Sequence, residues 1–114
     1  MRVKRGVTSH QKHKKIRQAT KGFSHPNRVS IKRGKQTLTK SLQYATRDRK
    51  NRKRTMRELW NARINAAARL NDTTYSRLIA NLKKANVTLD RKILAELSVN
   101  EPKAFSEIVK TVNK

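Results

Sequence analysis

Between Arg47 and Arg57 seven of eleven residues are cationic: Arg47, Arg49, Lys50, Arg52, Lys53, Arg54 and Arg57. Wound as a helix, they occupy every side and leave no face that could join a protein core. Three pairs, Arg49/Lys53, Lys50/Arg54 and Lys53/Arg57, set like charges four residues apart. Each such pair costs about 0.2–0.5 kcal/mol. A segment of this kind needs counter-charge on several sides at once. RNA packed around it supplies that, whereas a flat membrane touches one side only. The competing reading is a solvated face screened by salt, and the density of charge argues against it.

The rest of the chain sharpens the contrast. Its 114 residues hold 30 Lys and Arg against 7 Asp and Glu, a formal charge of +23. Residues 1–57 carry 20 basic residues and one acid, Asp48, for a net +19. Residues 58–114 carry 10 basic and 6 acidic residues, for +4. A folded domain with the first balance repels itself, and nucleic acid is the usual neutralising partner. Apolar residues make up 34% of the chain, too few to bury all of it. One compact domain is the ceiling at this length.

Local signals are helical throughout. Thr8 followed by Gln11 reads as a capping box opening a first helix, and Lys21-Gly22 as its end, with Gly22 left-handed and Phe23 in contact behind it. His25-Pro26-Asn27 reads as a break. From about Ser30 to Leu70 there is no proline and Gly34 is the only internal glycine. Forty helical residues would make a rod of roughly 60 Å, against a radius of gyration of about 13 Å for a compact domain of this size. Part of the rod must therefore project.

Beyond it, Met56, Leu59, Trp60, Ile64 and Ala67 form one apolar stripe at three- and four-residue steps. Asn71-Asp72-Thr73 reads as a stop followed by a new N-cap. Tyr75, Leu78, Ile79 and Leu82 mark a further helix ending near Asn86. Asp90 caps a short helix carrying Ile93, Leu94 and Leu97. Asn100 is expected to cap a last one, with Pro102 in its first turn and Phe105, Ile108, Val109 and Val112 inward. The expected fold is all-α. A long basic N-terminal arm spans residues 1–57 in two helices, the second continuing to about residue 70. A small helical bundle spans 58–114.

Candidate RNA contacts track the charge. Arg2, Lys4 and Arg5 form an extended tail. His10, Lys12, His13, Lys14, Lys15, Arg17 and Lys21 lie on the first helix. Arg28, Lys32 and Arg33 come next, then the seven cations of 47–57, then Arg63 and Arg69, which should leave the bundle while Leu59, Trp60, Ile64 and Ala67 face it. Trp60 and Tyr75 read as core aromatics. Few aromatics remain for a single-strand stacking platform, so structured RNA, recognised by shape, phosphate and 2′-hydroxyl, fits better. His10 and His13 are three apart, but the lysines around them repel a cation and no third ligand is evident, so no metal is expected. Asp48 reads as an intrahelical partner of Arg52. No catalytic constellation and no glycine-rich phosphate loop is present, so neither an enzyme, a cofactor nor a small-molecule substrate is expected.

Several stretches carry a resemblance to a known family: Arg2-Val3-Lys4-Arg5-Gly6-Val7, His13-Lys14-Lys15, Ala19-Thr20-Lys21-Gly22, and Gln43-Tyr44-Ala45 leading into Arg47-Asp48-Arg49. Most specific is Leu59-Trp60-Asn61-Ala62-Arg63-Ile64-Asn65-Ala66-Ala67-Ala68-Arg69, followed by Tyr75-Ser76-Arg77, Leu89-Asp90-Arg91-Lys92 and Leu94-Ala95-Glu96-Leu97. Over essentially its full length the chain resembles the bacterial L-twenty family of large-subunit ribosomal proteins. That resemblance implies a basic arm among ribosomal RNA helices, a small all-α C-terminal domain, direct binding of large-subunit RNA early in assembly, and no part in peptide-bond chemistry. It also implies neighbouring large-subunit ribosomal proteins as partners. In some members the C-terminal domain binds the protein's own messenger leader. The chain departs from the family pattern at Ser24 to Lys35, where Pro26 intervenes and the path is left open. It departs again at Thr46, where an aromatic is common, and at Asn86, where glycine is common.

A DNA-coating nucleoid protein is the nearest alternative, but its tails are usually low-complexity Lys/Ala/Pro tracts without capping signals. A membrane-active cationic helix needs an apolar face that residues 47–57 lack, and no apolar run approaches the ~20 residues that span a bilayer. Met1-Arg2-Val3-Lys4-Arg5-Gly6 lacks the apolar stretch of a secretory signal. The expected location is a cytoplasmic ribosome, with an organellar ribosome left open.

Overall fold

The computed structural model describes residues 4–113, and every regular element among them is an α-helix. In chain order these are α1 (Gly6–Ala19), α2 (His25–Val29), α3 (Ile31–Leu70), α4 (Tyr75–Lys84), α5 (Arg91–Asn100) and α6 (Pro102–Val112). A long basic helix with a small helical bundle is what the pattern predicts. The chain divides into two compact units, one ending at Lys50 and the other beginning at Asn51, so α3 contributes to both.

The first unit has no apolar core: among its described residues only Thr20 and Gly34 are buried. Thr20 closes α1, its N–H and its hydroxyl both donating to the Ile16 carbonyl at 2.9 Å. Gly22 comes next with φ +87°, the left-handed conformation expected there. The start of α1 differs from expectation. Arg5, not a residue at the Thr8–Gln11 spacing, holds the N-cap, and Thr8 lies inside the first turn donating to the Arg5 carbonyl at 2.9 Å. A threonine hydroxyl can satisfy a carbonyl one turn back as readily as it caps an N–H.

The break between α1 and the next helix falls at residues 20–24 and not at His25-Pro26-Asn27, which instead open that helix, α2. Ser24 is extended (φ −54°, ψ 145°) and the proline occupies the first turn, where its missing N–H has no cost. Gly34 then shows why the arm has a glycine inside a helix. A Cβ there would lie 3.1 Å from the Asn27 carbonyl oxygen and 3.3 Å from Ile16 Cγ2. The missing side chain lets α1 and α2 come close against α3.

The second unit holds the core: Ile64 and Ala68 from α3, Leu78 and Leu82 from α4, Leu94 and Ala95 from α5, Phe105 and Val109 from α6. Trp60, Ala67, Tyr75, Ile79, Leu89, Leu97, Ile108 and Val112 pack around them, half-buried. Burial at about 25 cal/mol per Å² of apolar surface is the main force holding these four elements together. α6 lies against both α4 and α5. Three stripe members depart from expectation: Met56 is 39% exposed, Leu59 41% and Ile93 44%. Leu59 and Ile93 sit at the edge of their apolar arcs, and Met56 lies a turn before the first residue that packs on the core.

Helix ends in this unit are set by backbone geometry. Asp72 (φ +55°) and Asn86 (φ +53°) are left-handed. The N–H groups after them bond back to Ala68 at 3.1 Å and Leu82 at 2.9 Å, closing α3 and α4 with the same motif. Asn86 thus keeps the turn that glycine commonly makes, because asparagine tolerates this conformation. Asp90 caps α5 as expected, accepting from Ile93 N at 2.8 Å. Asn100 does not cap α6. It is the last residue of α5, and Glu101 serves both helices as a shared hinge (φ −134°, ψ 68°). Pro102 disfavours helical backbone at the residue before it, and here the boundary falls on Glu101.

Candidate nucleic-acid interface

Every candidate cation among the described residues is exposed: Lys4, Arg5, Lys12, Lys14, Lys15, Arg17, Lys21, Arg28, Lys32, Arg33, Arg47, Arg49, Lys50, Arg52, Lys53, Arg54, Arg57, Arg63 and Arg69, with His10 and His13 beside them. Arg2 lies outside the described residues. Exposure on this scale is the expected state of unpaired charge, since burying a cation without a partner is costly.

In the first unit the charges are arranged, not scattered. His10, His13, Lys14, Arg17, Gln18 and Lys21 line one concavity along α1. The five from His10 to Gln18 recur at three- and four-residue steps on one face of α1, and Lys21 follows just past its end. Arg17 and Lys21 also line a second concavity with Gly22, Arg28 and Val29. The left-handed turn at Gly22 therefore carries the basic stripe from α1 to α2. Lys12 and Lys15 lie off this stripe.

The segment Arg47–Arg57 lies within α3, and all of its residues are exposed. One ion pair is formed among the described residues, Arg47 Nε to Asp48 Oδ1 at 2.9 Å. Asp48 therefore pairs with its neighbour and not, as the four-residue spacing suggests, with Arg52. Exposed side chains choose among several cations at hand, and the adjacent guanidinium is the one reached. The hydrogen bond from Arg47, and then the adjacent negative charge, raise the Arg47 pKa above its ordinary value. Both partners are exposed, so the pair adds little to stability. Tyr44 lies beneath two cations, Arg47 at 4.7 Å and Lys40 at 5.0 Å from the ring centre.

The second unit brings Trp60 to two concavities. Arg52, Lys53, Met56 and Arg57 line one with it; Arg63, Lys92, Ala95, Glu96, Val99 and Asn100 line the other. A third, more polar hollow is formed by Asn61, Ala62, Asn65, Arg69, Thr74, Tyr75 and Ser76. Arg63 and Arg69 thus sit in different hollows, and neither is paired with an acid among the described residues.

Lys35, Lys40 and Lys92 are not among the contacts expected from sequence, yet they are exposed and as charged as the residues that are. Lys40 was detectable from its four-residue spacing to Tyr44. Arg91 could not be found that way: it donates to the Tyr75 hydroxyl at 2.8 Å, a contact between residues 16 apart. Among the described residues no group of three or more His, Asp or Glu side chains is placed to hold a metal ion, and no helix is long and apolar enough to cross a membrane.

Comparison with known proteins bears on what such a surface belongs to. The family model described as ribosomal protein L20 matches residues 2–108. A large ribosomal subunit protein bL20 from Methylobacterium sp. (strain 4-46) is 56% identical over 108 residues, covering 95% of this chain and 86% of that protein. Its counterpart in Chelativorans sp. (strain BNC1) is also 56% identical, over 95% of this chain and 81% of its own length. That of Methylibium petroleiphilum is 54% identical over 111 residues, 97% of this chain and 94% of its own. With its family model matched over nearly all of its length, the chain belongs to the ribosomal protein L20 family, a family of ribosomal structural proteins and not of enzymes.

Proposed function

We propose that this chain is a structural constituent of the large ribosomal subunit that binds 23S-type ribosomal RNA directly and joins the subunit early in assembly. Its place of work is the cytoplasmic ribosome. One observation carries the reading: a 40-residue helix whose central segment, Arg47–Arg57, exposes seven cations with a single acid between the first two. Such a helix is complete only when phosphates surround it. The coreless first unit adds support, because a segment that buries almost nothing of its own gains most from an external partner. Early entry has the same cause, since RNA helices must close around the basic segment and cannot easily admit it later.

The candidate contacts are the basic stripe of α1 and α2, the cations of α3 from Lys32 to Arg57, and Arg63 and Arg69 in the second unit. Neighbouring large-subunit proteins are expected against the second unit's exposed apolar residues. Binding of the chain's own messenger leader, which the family resemblance raises, would fall to the second unit through Arg63 and Arg69.

Co-sedimentation with large subunits after a high-salt wash tests membership of the particle. Direct binding is tested on naked large-subunit RNA. Neutralising ~8–10 phosphates makes log K fall against log salt with a slope of roughly −6 to −9. A nearly salt-independent affinity, or recovery with chromosomal DNA in place of large-subunit RNA, would overturn the reading.

A further inference from the structure

We propose that Trp60 and Met56 form a seat for one unstacked nucleotide of the bound RNA, with Arg52, Lys53 and Arg57 gripping the phosphates beside it. The inference rests on the RNA-binding reading above and assigns that surface a specific ligand.

Met56 belongs to the apolar stripe of α3, yet it is 39% exposed and adds nothing to the buried core. It lines a concavity with Trp60, and the other three residues there are Arg52, Lys53 and Arg57. Trp60 itself packs against the core while remaining half-buried. One part of the indole is therefore anchored and another faces outward, so the ring is held in place before any ligand arrives. A preordered surface loses little conformational entropy on binding. On its other side Trp60 lines the hollow that holds Arg63 and Lys92, with Glu96 the one acid there.

An apolar floor bounded by cations matches one chemistry closely. A nucleotide offers a flat π-face for the indole and thioether and a phosphate on each side for the rim. A protein partner would need an apolar residue ringed by acids to fit the same place. Among the described residues no carboxylate is paired with the three rim cations, so the charge remains available to phosphate.

The chain has a single tryptophan, which makes its emission a direct probe of the seat. Titrating the full chain with naked bacterial large-subunit RNA should quench that emission. Heparin, a polyanion without bases, should bind through the same cations and leave the emission nearly unchanged. Met56→Ser should weaken RNA binding about three- to tenfold with the salt slope preserved, because no phosphate contact is lost. Leu59→Ser, exposed on the same helix but outside the concavity, should bind as the unaltered chain does. Equal responses to heparin and RNA, or a Met56→Ser protein with full affinity, would overturn the seat while leaving the RNA-binding reading standing. Shielding of the indole that appears only in intact subunits, and not with naked RNA, would give the surface to a neighbouring protein and overturn the proposal. Loss of salt-dependent RNA binding altogether would remove the reading on which it rests.

Discussion

The Tyr75 hydroxyl donates to Asn61 Oδ1 at 3.0 Å, joining the first residue of α4 to α3. The same oxygen accepts from Arg91 Nε at 2.8 Å, at the first residue of α5. Three helices of the second unit thus meet at one phenolic oxygen. Tyr75→Phe keeps the ring packing and removes both bonds, so the unit should lose about 1–2 kcal/mol. Urea unfolding followed by Trp60 emission measures it; an unchanged midpoint would show that water replaces both contacts.

Burial separates two large apolar residues that the helical pattern treats alike. Phe105 is 1% exposed and touches the centre of the core, so Phe105→Ala should cost about 3–5 kcal/mol. That is enough to unfold a unit of this size. Leu59 is 41% exposed, and Leu59→Ala should fall within about 0.5 kcal/mol of the unaltered chain. Thermal unfolding of the two variants side by side decides the point, and equal losses would return Leu59 to the core.

Gly34 predicts an effect opposite to helix propensity. Away from contacts, replacing a mid-helix glycine gains up to about 1 kcal/mol. Here a branched side chain would drive into the Asn27 carbonyl and the Ile16 side chain. Gly34→Val should therefore push α1 and α2 off α3. Faster hydrogen exchange at the Thr20 and Phe23 amides, which close the α1 turn, is the expected readout, together with weaker RNA binding. Unchanged exchange would mean that the three helices do not depend on this close approach.

Arg63 and Arg69 are exposed and form no ion pair among the described residues. Arg63→Ala and Arg69→Ala should leave the melting temperature almost unchanged, within about 0.5 kcal/mol of stability. Each should weaken binding to large-subunit RNA and reduce the salt slope by about 1. If either variant unfolds the protein, that arginine is structural and leaves the interface.

The basic residues of the arm were legible because charge is a property of the residues themselves. No packing arrangement can hide seven cations in eleven positions, so their exposure on α3 was already implied. Left-handed turns were legible for a related reason. Gly22 and Asn86 are among the few residue types that accept positive φ, and Asp90 is a strong cap whose partner lies three residues on. These are local interactions, complete within one turn of chain.

The rest needed neighbours that residue type alone does not specify. Thr8 and Asn100 look like caps, and each was displaced by a competitor: a carbonyl one turn back for Thr8, and the steric demand of Pro102 for Asn100. Asp48 had cations within reach on either side, and local geometry decided for Arg47. Helical spacing alone decided that Met56, Leu59, Trp60, Ile64 and Ala67 lie along one stripe. Only the tertiary structure decided that Ile64 is fully enclosed, Trp60 half so, and Met56 and Leu59 left facing outward. A stripe records which residues prefer to leave water, but how much of it is covered depends on where α4, α5 and α6 end, and burial energy accrues only over the area they actually cover.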